Sequence, residues 1–294
     1  MIDSRIGSKA PKAGRVWPPF YTHRPYPEKQ PPESEPHFWQ QHPVIAESRT
    51  TFLDAPMHTL TMTQTLELAR EAMQARQPLH HTVINVSKLV NMHANEELAR
   101  DVSEADLINI DGAGVVWGAR LLGIAVPERV AGVEIMERLF ELCADKGFKP
   151  YLLGAESQVL DAVQGRLQRD YPTLQIAGAH DGYFTDEEAI VLDINASGAD
   201  CLFVAMSSPR KERFLYKYRL VLAPYFIMGV GGSFDVYGGK VRRAPVWVQT
   251  IGMEWLYRVL QEPRRLWRRY WDTNRAYAKM LWTSYWTQRR GPRR

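Results

Sequence analysis

The chain has 294 residues, 45% of them hydrophobic, which is enough to bury a sizeable core. Charged residues make up 24% and balance to a net charge of +4, which excludes disorder of the whole chain. Two cysteines are too few for a disulfide framework or a four-cysteine zinc site, so we expect a reducing compartment.

The charge is unevenly distributed along the chain. From residue 240 to the end there are 14 Lys and Arg against three acids, and six of the nine tryptophans lie there too. The remainder is acidic overall. A basic, tryptophan-rich end on an acidic body indicates an anionic partner, which the charge alone leaves open as a membrane surface, a nucleic acid or a phosphorylated ligand.

The first 50 residues contain nine prolines and predict a disordered extension. From 51 to about 240, short β-branched runs alternate with helical stretches. Predicted strands are 82–86, 106–110, 148–153, 173–177, 201–205 and 225–230. Predicted helices are 61–77, 96–105, 113–122, 132–146, 156–170, 186–197 and 209–221. This alternation is typical of an α/β fold, so we predict a Rossmann-like domain over 51–240, with a largely parallel sheet and helices on both faces.

Polar and glycine-rich segments follow several predicted strands. They are Asn85, 111–114, 154–157, 207–212 and 229–235. In open sheets of this kind ligands bind at the carboxyl ends of the strands, where glycines let backbone N–H groups approach a phosphate. Five such ends in one sheet predict a ligand crevice.

Two charged residues of this region have competing interpretations. Asp111 is either the N-cap of the next helix, which local sequence favours, or a general base in the crevice. Arg129 either clamps a phosphate or carboxylate, or pairs with Glu128 or Glu134. Downstream, 181–184 reads as a turn before a helix that is capped near Thr185.

Several enzyme classes lose support. The eight histidines show no metal-ligand spacing, so a zinc enzyme is not expected. The sequence contains no dinucleotide-binding glycine fingerprint, no P-loop and no nucleophile elbow. The longest uncharged apolar run, 220–234, is too short to span a bilayer, and we expect a soluble or peripheral protein.

Four ordered motifs then resemble the WecG/TagA/CpsF family of bacterial glycosyltransferases. They are ADLINIDGAGVVW at 105–117, PERVAG at 127–132, GVGGSFD with GKVRRAP between 229 and 245, and MEWLYR with EPRR between 253 and 265. The resemblance covers about residues 50–275.

This resemblance implies inverting, metal-independent transfer from a UDP-sugar to an undecaprenyl-diphosphate-linked saccharide, without a cofactor, on the cytoplasmic face of the plasma membrane. The pathway would be envelope or exopolysaccharide synthesis. By position, Asp111 is similar to the family's general base, and Arg129 to the arginine that contacts the diphosphate or stabilises the leaving group. Further positions carried over as substrate-binding are Asn85, Gly112, Gly154, Lys211, Glu212, Gly231, Gly232 and Asp235. Those assigned to the acceptor diphosphate and the membrane are Arg242, Arg243, Arg258, Arg264, Arg265 and Arg268.

Two positions depart from the family pattern. Lys211 stands where the family usually has glutamine, and Val83 where some members have threonine. The donor sugar therefore stays open between N-acetylmannosamine, N-acetylmannosaminuronate and glucose. The departure at Lys211 also leaves room for an alternative, a non-catalytic nucleotide-sugar-binding or scaffold protein of an envelope assembly complex.

The segment 241–294 is predicted to be a helical appendage that closes the site and reaches the membrane. A helix starting at Pro263 would have an aromatic sector overlapping a basic one. Packing against its own domain is one interpretation and nucleic-acid binding another, but no nucleic-acid motif supports the latter. An anionic membrane surface is favoured. The oligomeric state is open, a homo-oligomer included.

Overall fold

The computed structural model describes residues 38–250 and 252–290. Residues 1–37 of the predicted extension lie outside this part of the chain. The rest of that extension is folded, as a 3-10 helix at Phe38–Gln41, helix α1 at Pro43–Ser48 and the start of strand β1 at Arg49–Phe52. Trp39 is 1% exposed and joins the main hydrophobic core. The proline count was misleading here, because Pro43 occupies the start of a helix, where proline is favourable.

The main sheet has six parallel strands. They are β3 at Leu79–Ile84, β4 at Leu107–Ile110, β5 at Pro150–Gly154, β6 at Gly178–His180, β7 at Cys201–Ala205 and β8 at Phe226–Gly229. Their order is β4-β3-β8-β7-β5-β6, and each neighbouring pair is parallel. The predicted α/β class is confirmed. A separate antiparallel pair joins β1 to β2 at Ala55–His58, which the sequence did not predict.

Helices cover both faces of this sheet. They are α2 at Met62–Ala75, α3 at Val86–Ala94, α4 at Glu96–Ser103, α5 at Ala113–Leu121, α6 at Gly132–Lys146, α7 at Ser157–Asp170, α8 at Glu187–Ala196, α9 at Arg210–Tyr218 and α10 at Ser233–Tyr237. Side chains alternate along each strand, so that in β7 Phe203 packs with α6 while Leu202 and Val204 pack with α8 and α9.

Three helices follow the sheet. They are α11 at Val246–Thr250, α12 at Glu254–Gln261 and α13 at Pro263–Arg290, which begins at the predicted proline. Helix α13 packs against α3, and Leu266 and Tyr277 on that side are buried. Within the described residues, none of the helices combines the length and apolar character needed to cross a membrane.

Around β6, one local prediction was wrong and another was one residue out. The strand forms at Gly178–His180 and not at 173–177, because a turn after Pro172 delays the ladder until Ala177 N–H reaches the carbonyl of Pro150. The cap of α8 is Asp186, whose side chain accepts from the N–H of Ala189 at 3.0 Å, and not Thr185.

Candidate active site

The strand order places the carboxyl ends of β4, β3 and β8 next to each other. The chain leaves β3 for β4 on one side and later returns to β8 on the other, so the order reverses around β3, which is where open α/β sheets bind ligands. Asn85, Asp111 and Val230 follow these three strands. A β-carbon on Gly112 would lie 3.3 Å from that of Asn85, so the ends of β3 and β4 are in close contact.

Asp111 lies at the centre of this crevice. It does not cap α5, whose N-cap is Gly112, and its side chain instead interacts with the backbone N–H of Gly132 at the start of α6. Burial raises the pKa of Asp111 and the nearby carboxylate of Glu254 adds to the rise, while Arg129, the Gly132 N–H and Lys88 act against it. A carboxylate with a raised pKa is suited to accepting a proton.

Arg129 is paired with two acids. Its Nη1 lies 2.5 Å from Glu254 Oε2 and its Nη2 lies 3.3 Å from Glu134 Oε1. Of the pairings weighed from sequence, Glu134 is therefore present, whereas the Glu128 side chain accepts from the N–H of Met62. Glu254 belongs to α12, so Arg129 ties the C-terminal segment to the loop before α6.

Arg243 joins the same cluster. Its Nη2 contacts Glu134 Oε1, and its Nε lies 3.9 Å from Glu254 Oε1. Two arginines and these carboxylates thus form an interlocked group beside Asp111. The arginines from the loop and from the C-terminal segment share the same two acids, which ties this segment to the loop and to α6.

A second charged group lies between α3, α9 and β8. Lys88 Nζ is 2.9 Å and Lys211 Nζ 3.1 Å from Glu212 Oε1, and all three residues are at most 7% exposed. Lys88 also donates to Thr82 Oγ1 at 3.0 Å. Burial lowers the pKa of Lys211 to about 8, helped by the charge of Lys88. Burial favours a higher pKa for Glu212, but the two lysines outweigh it and hold that pKa well below its usual range.

Lys88 was missed by sequence reasoning. It is the third residue of α3, and Lys211 is the second of α9, so both place a cation at a helix end whose dipole disfavours positive charge. A lysine in the first turn of a helix that follows a strand is the signal that could have found it. Both positions bring positive charge to helix N-termini that already favour anions.

Glycines at the end of β8 leave space for these side chains. A β-carbon on Gly229 would come within 2.7 Å of Lys211 Cδ, and Gly231 has a φ of +53°. A β-carbon on Gly232 would lie 3.6 Å from an Arg258 nitrogen and 3.7 Å from Asp235 Oδ2. The structure thus brings Lys211, Glu212 and the predicted glycine loop into one group.

Gly154 is farther along the sheet, at the end of β5, with a φ of +115°. A β-carbon there would collide with the backbone of Ala205, so this glycine permits close strand packing. The turn that follows Gly154 is linked to the segment after β8, because Lys240 Nζ lies 2.9 Å from Glu156 and 3.9 Å from Asp235.

The predicted basic residues of the C-terminal segment divide into two sets. Arg243 belongs to the ion-paired cluster near Asp111, and Arg258 is exposed but has a nitrogen close to Gly232. Arg242 is exposed, as are Arg264 and Arg268 on α13, and the side chain of Arg265 lies outside the described part.

Asn85 caps α3, its Oδ1 accepting from the N–H of Lys88 at 2.9 Å. Among residues 38–250 and 252–290, no three His, Cys, Asp or Glu side chains are grouped to hold a metal ion.

Comparisons with known proteins agree with the motifs. A model of the glycosyl transferase WecG/TagA/CpsF family matches residues 50–291. The N-acetylglucosaminyldiphosphoundecaprenol N-acetyl-β-D-mannosaminyltransferase of Bacillus spizizenii strain W23 is 34% identical over 225 residues, which are 76% of this chain and 79% of that protein. The protein of the same name from Bacillus subtilis strain 168 is 35% identical over 168 residues, which are 57% of this chain and 65% of that protein.

These relatives are named as enzymes, which favours a catalytic role over the non-catalytic scaffold considered from the sequence. The family match spans the whole described sheet together with α13. The chain is a glycosyltransferase and belongs to the WecG/TagA/CpsF family.

Proposed function

We propose that the chain transfers a sugar from a UDP-sugar, with inversion and without a metal ion, to a saccharide linked to undecaprenyl diphosphate. The observation that carries this proposal is the carboxylate of Asp111 with its raised pKa, at the reversal point of the sheet and near the side chains of Arg129 and Lys88. Residues 51–240 act as the catalytic domain, and 241–294 close the site.

Asp111 acts as the general base. A hydroxyl of the acceptor sugar attacks the anomeric carbon of the donor, its proton moves to the Asp111 carboxylate, and the bond to UDP breaks with the electron pair leaving on the phosphate oxygen. Attack from the face opposite the leaving group inverts the anomeric centre. Because burial raises the pKa of Asp111, its carboxylate is a stronger base than the carboxylate of an exposed aspartate.

The negative charge that develops on UDP meets fixed positive charge. Lys88 and Lys211 converge on Glu212 next to Gly231, and both belong to first turns of helices. Two ammonium groups against one carboxylate leave a net positive charge for the diphosphate. Arg129 adds a further cation when substrate replaces Glu254 as its partner. Such preorganised groups stabilise a leaving anion in the role that a divalent cation has in other transferases.

The names of the relatives support a choice of substrates. Both are transferases of N-acetyl-β-D-mannosamine to N-acetylglucosaminyldiphosphoundecaprenol. An inverting transfer from an α-linked nucleotide sugar gives a β-glycoside, the linkage in those names. We take UDP-N-acetylmannosamine as the first donor to test, followed by N-acetylmannosaminuronate and glucose, since Lys211 replaces the usual glutamine.

The outer side of α13 supports attachment to the inner face of the plasma membrane. Trp267, Trp271 and Trp282 are between 52% and 66% exposed, and the exposed bases Arg268 and Arg275 lie near them around the helix. Tryptophan favours the membrane interface, and bases favour anionic lipid. The lipid-linked acceptor would then be held close to the crevice.

The proposal is tested by incubating the chain with each UDP-sugar and a farnesyl-diphosphate-linked N-acetylglucosamine, with and without chelator. We expect UDP release and a β-linked disaccharide product, identified by NMR of the anomeric proton, at equal rates in both conditions. An α-linked product would contradict inversion, and loss of activity with chelator that added metal restores would contradict metal independence. Absence of transfer from all three donors would contradict the function itself.

A further inference from the structure

A cavity lies next to the ion-paired cluster of Arg129 and Glu134, both of which line it. Its volume is about 330 Å³, and its walls include Val116, Trp117, Arg120 and Arg129. This size falls at the lower end of the range of about 300–1,000 Å³ for small-molecule sites. Arg129 lines the cavity and also acts on the pKa of Asp111, so the cavity adjoins the proposed base.

Helix α5 presents an unusual face to this cavity. Val115, Gly118 and Ala119 on its other face are buried in the core, but Trp117 is 54% and Leu121 56% exposed. Large apolar side chains exposed together next to a cavity indicate a surface that a ligand covers. The indole of Trp117 offers a flat apolar surface, which suits the apolar face of a pyranose ring.

The C-terminal segment forms part of the same site. Gly252 has a φ of +72°, and a β-carbon there would lie 2.6 Å from Ala113 Cβ and 3.1 Å from Trp117 Cη2. The loop between α11 and α12 therefore lies directly against the start of α5 and the edge of the indole. Trp117 is also part of the cavity wall, so its indole contacts both this loop and the cavity.

Arg120 supplies a cation one turn beyond Trp117. Its Nε and Nη2 donate to the carbonyl of Val126 at 3.1 and 2.8 Å, and Nη2 also to that of Pro127, which fixes the guanidinium group. Its Nη1 has no hydrogen bond within the described part of the chain. Unlike Arg129, which two acids neutralise, Arg120 keeps its charge available to an anion.

The order of these groups along α5 matches the order of groups in a lipid-linked sugar. Asp111 precedes the helix, and Trp117, Arg120 and Leu121 follow on one side of it, since residues three and four apart share a helix face. From Trp117 to Leu121 the helix rises about 6 Å, at about 1.5 Å per residue. An aromatic ring, a cation and an apolar side chain therefore follow one another within about one helical turn.

We propose that this cavity is the acceptor subsite, in which the acceptor sugar stacks on Trp117, its diphosphate binds Arg120 and its first isoprene unit covers Leu121. The inference rests on the proposed function, because it assumes that the acceptor is a sugar linked through a diphosphate to a polyprenyl chain. The acceptor hydroxyl then points to the Asp111 carboxylate, while the diphosphate of the donor binds near Lys88 and Lys211.

The test compares Trp117→Ala with Phe38→Ala, a change of an exposed aromatic residue outside the site. With farnesyl-diphosphate-linked N-acetylglucosamine, we expect Trp117→Ala to raise the acceptor KM about tenfold or more while the Kd of UDP is unchanged. Trp117→Phe should restore most of the affinity, and Phe38→Ala should behave as wild type. An unchanged acceptor KM, or an equal loss of UDP binding, would overturn the assignment.

The role of Arg120 is tested by comparing how the protein binds a charged and a neutral acceptor. Arg120→Met should lose most of the wild-type preference for the diphosphate-linked acceptor over a neutral alkyl glycoside of the same sugar, and Arg138→Met, on α6, should keep it. Equilibrium binding of the acceptor without donor separates this inference from the proposed function. Binding that requires Trp117 supports the subsite even if no sugar is transferred, whereas wild-type protein that does not bind the acceptor refutes it.

Discussion

At the scale of single residues, the ionised side chain of Asp111 in the crevice lowers the stability of the folded state. Asp111 is a half-buried carboxylate near Glu254, and its raised pKa means that the folded protein disfavours the ionised form more than the unfolded chain does. The stabilising contribution of this neutral form is present at low pH and is lost as the pH rises from the unfolded pKa through the folded one. Ionised Asp111 therefore weakens the fold at neutral pH.

We predict that Asp111→Asn is more stable than wild type at pH 8, by about 0.5–2 kcal/mol. Asparagine has the same shape and cannot ionise, and its Oδ1 can still accept from the N–H of Gly132. The free energy of unfolding in urea, measured at pH 8 and pH 4, tests this, and the difference should shrink at pH 4. An equal loss of stability at both values would contradict the burial argument.

Lys211 gives the site a second pH dependence. Because the pKa of Lys211 is lowered to about 8, its positive charge is present below pH 8 and lost above it. We expect the affinity for UDP to fall as the pH rises from 7 to 9.5. In Lys211→Gln, affinity at pH 7 should be lower, by about tenfold, and this pH dependence should disappear.

Titration calorimetry of UDP binding across this pH range provides the measurement. Lys217→Gln is the matched control, because the pKa of Lys217 is raised to about 12 by its hydrogen bonds and it stays charged throughout. If Lys211→Gln and wild type lose affinity in parallel above pH 8, the titrating group is a different one.

The sequence could predict part of this site. The motifs identified Asp111 and Arg129, since each stands in a recognisable segment. Lys88 and Glu254 were not predicted as members of the site, because Lys88 meets Glu212 across 124 positions of chain and Glu254 meets Arg129 only when α12 folds back. Local sequence patterns do not predict contacts between residues that are this far apart in the chain.

At the scale of elements, α13 has two functionally different sides. Leu266 and Tyr277 are buried against the body, and Tyr277 donates to the carbonyl of Gly114 at 2.7 Å. On the other side, Trp271 and Trp282 are exposed together with the bases, so the predicted aromatic sector includes one buried and one exposed set of side chains. Helix α13 can therefore pack on its own domain with one side and contact a membrane surface with the other.

We predict that a triple change of Arg268, Arg275 and Lys279 to glutamine weakens binding to anionic liposomes about 100-fold, from about 1 kcal/mol for each base. Sedimentation with vesicles containing phosphatidylglycerol measures this effect, and turnover of a short soluble acceptor should be unaffected. Binding as tight as wild type would show that α13 does not attach the chain. Deleting 263–294 is a poorer test, because it uncovers the core around Tyr277.

At the scale of the whole molecule, a buried polar network ties the sheet to its surrounding elements. Asn109 of β4 donates to Thr65 Oγ1 of α2 at 3.0 Å and lies 2.8 Å from His81 Nε2 of β3. His58 Nδ1 accepts from the N–H of Ile108 at 3.0 Å. Burial lowers the pKa of His81 to about 3, and burial with the charge of Arg49 lowers that of His58 to about 4.

We therefore predict an acid-sensitive fold. Neutral histidines stabilise the folded state above the unfolded pKa of about 6.5, and this contribution is lost as the pH falls towards 4 and 3. The free energy of unfolding should drop by up to about 1.4 kcal/mol per pH unit for each histidine. Urea denaturation between pH 7.5 and 5 measures this slope, and a flat profile would contradict neutral burial.

The overall fold was predictable because strand and helix periods repeat along the chain. Phe203 and its neighbours in β7 form one short apolar run, and α6 has the length and boundaries that its pattern indicated. The β1–β2 pair and the displaced strand β6 were not predictable, since they depend on pairing partners and on one turn at Pro172. The docking of α13 on α3 depends likewise on distant contacts.

Sugar transfer by Asp111→Asn tests the central claim most directly. The measurement is the rate of disaccharide formation on farnesyl-diphosphate-linked N-acetylglucosamine, with UDP affinity determined on the same samples and Asp161→Asn on the surface of α7 as the control. We predict a loss of about 10²–10⁴-fold in rate with unchanged UDP affinity for Asp111→Asn, and wild-type values for the control. Wild-type transfer by Asp111→Asn would contradict the assignment of the base.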